Sequence, residues 1–398
     1  MTGSASQHEY PKQLTRIAPI LRGLLADRTD NPDVPYRPVI LKSLTSEEAM
    51  DFAASAEKEQ SGPYPPPLTK GKTPPLFLQF PAGDAEPDNL RKQFGDAISA
   101  YHAQYHAKPE IVCLRDLGIL YVSRTDDDSD VPLKNKVAMV TGAGGAIGFA
   151  ICRGLLENGC HLAASDFERE KLDRLAGDLK QIAPERVAGV LIDVTDRESV
   201  ARGFETVIQT WGGIDIVVVN AGIATVSHLK DMDLEDFRRL EKVNVEGALL
   251  TLAEAGRHFI LQGIGGDIIV ISTKNVPSPG AGFGAYSATK AACHQLGRIA
   301  SIELAQYGVR VNMVAPDAVF SEGRYKSGLW QEIGPGRMKA RGLDERQLEE
   351  YYQSRNLLKA KVTGRHVANA VLFFATRQTP TTGATIPVDG GLPDATPR

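Results

Sequence analysis

Tyr286-Ser287-Ala288-Thr289-Lys290 sets a phenol and an ammonium four residues apart, a spacing that puts both on one face if the segment is helical. A free phenol titrates near ~10 and is a poor acid or base at neutral pH. A neighbouring ammonium favours the phenolate, and a displacement of ~3 units corresponds to ~4 kcal/mol of differential interaction. Such a pair can exchange a proton with an alcohol or a carbonyl. In isolation the pattern is common on solvated helices. Its weight comes from its surroundings: Ser272-Thr273 closes the apolar run before it, and a glycine-rich turn lies upstream.

That turn is Thr141-Gly142-Ala143-Gly144-Gly145-Ala146-Ile147-Gly148, preceded by an apolar β-branched run and followed by the amphipathic segment Phe149–Glu157. A glycine-rich passage from strand to helix lets backbone amides and the positive helix end approach a pyrophosphate. A second apolar run ends in Asp166, 18 residues past Gly148. A carboxylate there accepts both hydroxyls of an adenosine ribose and repels a 2′-phosphate. Phe167 follows where an arginine would favour the phosphate, so NAD is expected rather than NADP. The alternative is a structural turn in which Asp166 only caps the next helix.

From Lys136 onward the chain repeats one unit: a short apolar run, a turn, then a segment with helical spacing of apolar residues. The runs are Val137–Thr141, His161–Ser165, Val187–Asp193, Asp215–Asn220, Asp267–Ser272, Val309–Val314 and Ala384–Val388. Each is continuous rather than alternating, so both faces should be buried. The expectation is an α/β, Rossmann-type doubly wound parallel sheet of seven strands, with its ligand at the carboxyl ends.

The region before this differs in composition. Residues 1–130 hold 14 of the 24 prolines but only 7 of the 38 glycines, with 14 basic and 19 acidic side chains. Two domains are therefore expected, 1–130 and 134–398, joined by the acidic stretch Thr125–Pro132. The net charge of −4 over 398 residues, with no concentration of Lys and Arg, argues against nucleic acid as a partner. Four scattered cysteines without a CxxC pair give no disulfide framework. No leader-like or membrane-spanning run is visible, so the expected location is the cytoplasm.

On these residues, 134–391 resemble the short-chain dehydrogenase/reductase family, over about two thirds of the chain. The family's TGxxxGxG turn is present with Ala146 in place of the middle glycine. The resemblance implies that Gly142, Gly145, Ala146, Ile147 and Gly148 hold the pyrophosphate and Asp166 the ribose. It places Asp193-Val194 at the adenine, Asn220 and Gly222 along the cofactor, and the Val319 backbone at the carboxamide. Pro316-Asp317 stands where the family has Pro-Gly. Thr273, 13 positions before Tyr286, matches the hydroxyl that holds the substrate oxygen, usually a serine; Ser272 is the alternative if the turn shifts by one. Asn244 matches the asparagine that holds a water in the proton relay. The implied mechanism has Tyr286 remove the hydroxyl proton as hydride leaves for the nicotinamide, with Lys290 favouring the phenolate and holding the nicotinamide ribose. The resemblance also implies a homodimer or homotetramer.

Residues 321–362 exceed an ordinary α/β connection and carry Trp330 with nine basic side chains against six acidic ones. They read either as a solvated helical hairpin or as a lid that offers a cation to an anionic or hydroxyl-rich substrate. Gly342–Lys361 resembles the lid of sorbitol-6-phosphate dehydrogenases. With Thr273-Lys274-Asn275, Gly282-Phe283-Gly284-Ala285-Tyr286 and Val388-Asp389-Gly390-Gly391, the chain is more similar still to the dehydrogenase half of bifunctional rhamnulose-1-phosphate aldolase/short-chain dehydrogenases. A sugar, polyol, sugar phosphate or sugar-derived aldehyde is the implied substrate, with Lys274, Asn275 and Trp330 as candidate contacts.

The first 130 residues resemble a truncated aldolase tail at Pro74–Leu78 and Glu110–Gly118. No HxH pair is present to hold zinc. His102 and His106 are four apart and could share a helix face, but no third ligand accompanies them, so no metal site is expected. The domain is expected to be chemically silent, and Gly62–Pro75 an extended connector.

Overall fold

A computed structural model of the chain describes residues 10–55, 73–80, 85–124 and 131–393. Most of the connector 62–75 and of the junction 125–132 lies outside those residues. The chain divides into two compact units: one of residues 1–130 with 204–214 and 258–264, the other of residues 131–203, 215–257 and 265–398.

In the first unit, α1 (Tyr10–Leu25) buries Leu14, Ile17, Ala18, Leu21 and Leu25, which recur at helical spacing. Two-residue strands β1 (Asp27–Arg28) and β2 (Tyr36–Arg37) pair as a short hairpin. β3 (Ile40–Leu44), α2 (Glu47–Ser55), β4 (Leu76–Leu78), α3 (Pro87–Tyr105), β5 (Ile111–Leu114) and β6 (Gly118–Ser123) follow. The four longer strands form a sheet in the order β3-β6-β5-β4. α3 buries Leu90, Phe94, Ile98 and Tyr101. The fully buried Arg22 guanidinium donates to the Val39 carbonyl (2.7 Å) and to Gln262 Oε1 (3.0 Å). His106 is the left-handed cap of α3, at φ 55°. It has therefore left the helix, and the expected shared face with His102 does not form. Among the described residues no three His, Cys, Asp or Glu side chains group as a metal site requires.

In the second unit the seven apolar runs are seven strands: β7 (Val137–Val140), β8 (His161–Asp166), β9 (Val187–Leu191), β10 (Ile216–Val219), β11 (Gly266–Ile271), β12 (Val309–Pro316) and β15 (Thr385–Val388). They pair in the order β15-β12-β11-β10-β7-β8-β9, all parallel. Every residue of β7, β10 and β11 is buried, which is why β7 and β10 read as unbroken apolar runs and β11 is interrupted only by Asp267. β9 and β15, the edge strands, are partly exposed, against the expectation that both faces of every strand are buried. The helices that follow its strands are α4 (Ala146–Glu157), α5 (Arg169–Ile182), α6 (Arg197–Trp211), α7 (Leu234–Glu241), α8 (Gly247–Gln262) and α9 (Gly284–Glu303), of which α6 from 204 and α8 from 258 onward belong to the first unit. Then come the hairpin β13 (Ser321–Glu322) and β14 (Tyr325–Lys326), α10 (Gly328–Arg341), α11 (Glu345–Arg355) and α12 (Gly364–Ala375). Sheet order reverses between β7 and β10, and a crevice opens at the carboxyl ends on such a reversal. α4 begins at Ala146, three residues before the expected Phe149, because Gly145 is its N-cap and the last residues of the glycine turn already wind. No described helix is long and apolar enough to cross a membrane.

Candidate active site

The turn after β7 can be built only from glycine at two points. Gly142 has φ +61°, and a Cβ on it would lie 2.7 Å from Ala221 Cα; a Cβ on Gly148 would lie 2.5 Å from the Gly142 carbonyl oxygen. Around Gly145 the opposite holds, with nothing within 4 Å of a built Cβ. No side chain caps α4 at Gly145, so the amides of Ala146, Ile147 and Gly148 begin the helix without intrahelical acceptors. A cradle of free amides beside open space suits a pyrophosphate. Thr141 and Asn220 lock the turn to β10: Asn220 Nδ2 donates to the carbonyls of Thr141 (2.9 Å) and Gly142 (2.8 Å), and the Asn220 amide donates to Thr141 Oγ1 (3.0 Å).

Asp166 ends β8 with its carboxylate folded against this turn. Oδ2 accepts from the Gly144 amide (3.0 Å) and Oδ1 from the Glu168 amide (3.2 Å). Phe167 beside it is exposed. At the end of β9, Asp193 is exposed and its Oδ1 accepts from the amide (2.9 Å) and hydroxyl (2.7 Å) of Thr195. Val194 is buried against Gly247, where a Cβ would come within 2.8 Å of Val194 Cγ2.

Tyr286 and Lys290 both lie on α9. Lys290 is buried and Nζ donates to the Ile271 carbonyl (2.6 Å) at the end of β11. Tyr286 is half-buried, and its hydroxyl makes no hydrogen bond among the described residues. Asn244 sits in a π-helical turn, Lys242–Glu246, between α7 and α8; such wide turns are frequent at functional sites. Its Oδ1 accepts from the Ile223 amide (2.9 Å), while Nδ2 donates to the Ile223 carbonyl (2.9 Å) and to Thr289 Oγ1 (3.1 Å). Gly222 joins these groups: a Cβ there would lie 3.1 Å from Asn244 Oδ1 and 3.8 Å from Lys290 Nζ.

Thr273 and Ser272 differ in their commitments. Ser272 Oγ shares a 2.9 Å hydrogen bond with His294 Nδ1. Burial, reinforced by Arg298 and Lys290, holds His294 below the usual imidazole range. Among the described residues Thr273 Oγ1 only accepts, from the Asn275 amide (3.2 Å), so its own proton is available to donate. Asn275 is buried, with an Oδ1 that finds no partner among the described residues. Lys274 donates to the Ser278 carbonyl (3.2 Å). Trp330 stacks on Phe320 at 4.3 Å and meets Tyr352 edge-on at 4.8 Å, inside an aromatic cluster of α10 and α11. Val319 is buried in the core beyond β12.

Asp317 follows β12, its amide held by the Val388 carbonyl (3.1 Å). Burial lifts its carboxyl above the usual range, against the opposing pull of Arg355 and Lys274. A carboxyl raised on folding adds stability below its unfolded pKa and loses it as pH rises through the folded value. Asp317→Asn is therefore expected to raise Tm at neutral pH, with the gain fading as pH falls below the carboxylate range. Equal melting of the two proteins at neutral pH contradicts this.

Three contributors escape a reading by sequence alone. Thr289 lies inside the Tyr-Lys segment, but its bridge from Asn244 Nδ2 to the Tyr286 carbonyl (3.0 Å) depends on the π turn. His294 follows Lys290 at helical spacing, the one signal that it shares a face with the pair. Arg337 is one of nine lid cations until packing singles it out.

Comparison with known proteins points to a family. The family model described as short chain dehydrogenase matches residues 136–332. Sorbitol-6-phosphate 2-dehydrogenase of Escherichia coli (strain K12) is 31% identical over 65% of this chain and 98% of its own length. The chain belongs to the short-chain dehydrogenase family. It is an oxidoreductase of a family that binds nicotinamide cofactors. YuxG of Bacillus subtilis (strain 168), named an uncharacterized oxidoreductase, is 35% identical over 68% of this chain; the chain spans only 39% of that protein. Among solved short-chain dehydrogenase structures, sorbitol-6-phosphate 2-dehydrogenase of Erwinia amylovora superposes with a TM-score of 0.59 at 30% identity, over 64% of this chain and 98% of the other.

Proposed function

We propose that the protein is an NAD-dependent dehydrogenase of sugars, polyols or their phosphates, acting through Tyr286, Lys290, Thr273 and Asn244. The observation that carries this reading is the convergence of Lys290 Nζ and Asn244 Oδ1 at Gly222, beside a glycine cradle and a fixed Asp166 carboxylate. The related sorbitol-6-phosphate 2-dehydrogenase, glucose 1-dehydrogenase of Gluconobacter oxydans (31% identical) and sorbitol dehydrogenase of Cereibacter sphaeroides (30% identical) support the substrate class.

The bound nicotinamide supplies the hydride acceptor. Thr273 donates a hydrogen bond from its hydroxyl to the substrate oxygen and orients the alcohol. Tyr286, as the phenolate, accepts the alcohol proton while the carbinol C–H bond breaks, so that the alcohol becomes a carbonyl. Lys290 favours the phenolate and holds the nicotinamide ribose. Asn244 braces the loop after β10 against α9 and retains one Oδ1 lone pair for the water that passes the proton on. The unpartnered Asn275 Oδ1 accepts from a second substrate hydroxyl, which suits a polyol. We take the first 130 residues as accessory and the location as cytoplasmic. Exposed Leu249 on α8 with Ile299 and Ile302 on α9 supports pairing of two copies through these helices.

The test of the substrate class is NAD reduction by the full chain across sugars, polyols, their phosphates and simple secondary alcohols. Turnover confined to the first three supports the reading; turnover of the simple alcohols alone overturns it. For the cofactor, the Asp166 carboxylate beside a 2′-phosphate costs several kcal/mol, so NAD is expected to be preferred over NADP by about 100-fold in kcat/KM. Asp166→Ser should narrow that ratio to within about tenfold. A wild type that uses both cofactors equally well rules out this role for Asp166.

A further inference from the structure

Arg337 and Arg341 on α10 and Arg355 on α11 pack their guanidinium groups over Phe283 (4.3 Å), Tyr351 (4.9 Å) and Tyr352 (4.8 Å) respectively. Among the described residues none of the three has a carboxylate at ion-pairing distance, although the lid is not short of acids. Glu345, Glu350 and Glu349 are taken by the outer cations Lys326, Arg346 and Lys361, and Asp178 by Arg324. The acid that acts on the inner group is Asp317, through Arg355. Among the described residues, three arginines beside one carboxylate that Lys274 also faces leave a surplus of at least two positive charges.

Arg337 is the least satisfied of them. Its Nε is buried without a hydrogen bond among the described residues, and Nη2 reaches only the Ala281 carbonyl at 3.4 Å. Arg337 as a whole is half-buried; a cation partly withdrawn from water without a counter-ion is unfavourable, and an anion entering beside it reduces that penalty. Its place is also informative: the Phe283 ring under Arg337 meets the Tyr286 ring edge-on at 6.1 Å.

We propose that Arg337, supported by Arg341 and Arg355, binds a phosphomonoester of the substrate one side chain away from Tyr286. The surplus charge matches a phosphate dianion, and the forked guanidinium fits two of its oxygens. The proposal rests on the dehydrogenase reading above and narrows its substrate to a phosphorylated sugar or polyol.

The test compares a terminally phosphorylated hexitol with the free hexitol. The full-length wild type is expected to prefer the phosphorylated form by about 100-fold in kcat/KM, mostly through KM. In Arg337→Met the preference falls to about fivefold or less, and Arg337→Lys, which keeps charge but not the fork, lies between. Equal use of both hexitols by the wild type overturns the phosphate site and leaves the dehydrogenase reading standing. If neither is oxidised, calorimetric titration of the phosphorylated hexitol into the NAD-loaded protein decides separately. Saturable binding that Arg337→Met weakens at least tenfold supports the site while the oxidation reading fails; absence of binding to the wild type overturns the site as well.

Discussion

Tyr286→Phe is expected to lower kcat by about a thousandfold while leaving NAD affinity within a few-fold of wild type. The two effects separate because the phenol has only one task in the scheme. Among the described residues its hydroxyl makes no hydrogen bond, so removing it strands no partner and opens no cavity. The elements proposed to hold the cofactor, Gly142 with Ala221 and Asp166 with Gly144, do not depend on it. Without that oxygen the alcohol proton has no acceptor as the C–H bond breaks, and hydride departure alone would leave a protonated carbonyl. A variant that keeps more than a tenth of wild-type kcat would remove Tyr286 from the chemistry. A protein that binds NAD without turnover in either form would be a sensor rather than an enzyme.

The second large effect concerns the fold at the opposite end of the same strands. Asp267 is buried at the start of β11. Its Oδ1 accepts from Arg310 Nε (2.8 Å) and Nη2 (2.6 Å), and its Oδ2 from Arg377 Nε (2.9 Å). Both arginine side chains are themselves mostly buried. Asp267→Ala leaves two guanidinium groups in a low-dielectric site with their shared anion gone, which costs about 3–5 kcal/mol. For a unit of this size that corresponds to a Tm lower by about 10 °C. Thermal unfolding followed by circular dichroism reads it directly. A shift below about 2 °C would mean that water or the neighbouring carbonyls of Thr379 and Phe374, which Arg310 already reaches, suffice to solvate the pair.

What could be read from the sequence divides along a physical line. The central strands were legible because a strand covered on both faces must be largely apolar, as β7 and β10 are throughout and β11 is but for Asp267. The cradle and the Tyr-Lys pair were legible because their chemistry is local: a turn that excludes Cβ atoms, and two groups one helical turn apart. Features that need distant partners were not. The π turn at Asn244 depends on the Ile223 backbone and Thr289. The first unit includes 204–214 and 258–264, and the bond from Arg22 to Gln262 joins residues 240 positions apart; no composition shift marks either segment. Thr273 and Ser272 were indistinguishable by type, and they separate only because His294 engages one of them. Among the lid cations, Arg337 packs over Phe283 with no carboxylate in reach among the described residues, whereas Arg346 is exposed and paired with Glu350, a difference that residue type does not carry.

The most direct test of the central claim follows the hydrogen itself. A hexitol phosphate carrying deuterium at the carbinol carbon is incubated with the protein and NAD, and the nicotinamide product is analysed by mass spectrometry. One deuterium is expected on the reduced nicotinamide ring for each carbonyl formed, with no loss to water, and no such product from Tyr286→Phe beyond about a thousandth of the wild-type rate. Carbonyl formed with the deuterium released to solvent, or an equal rate in the variant, would contradict it.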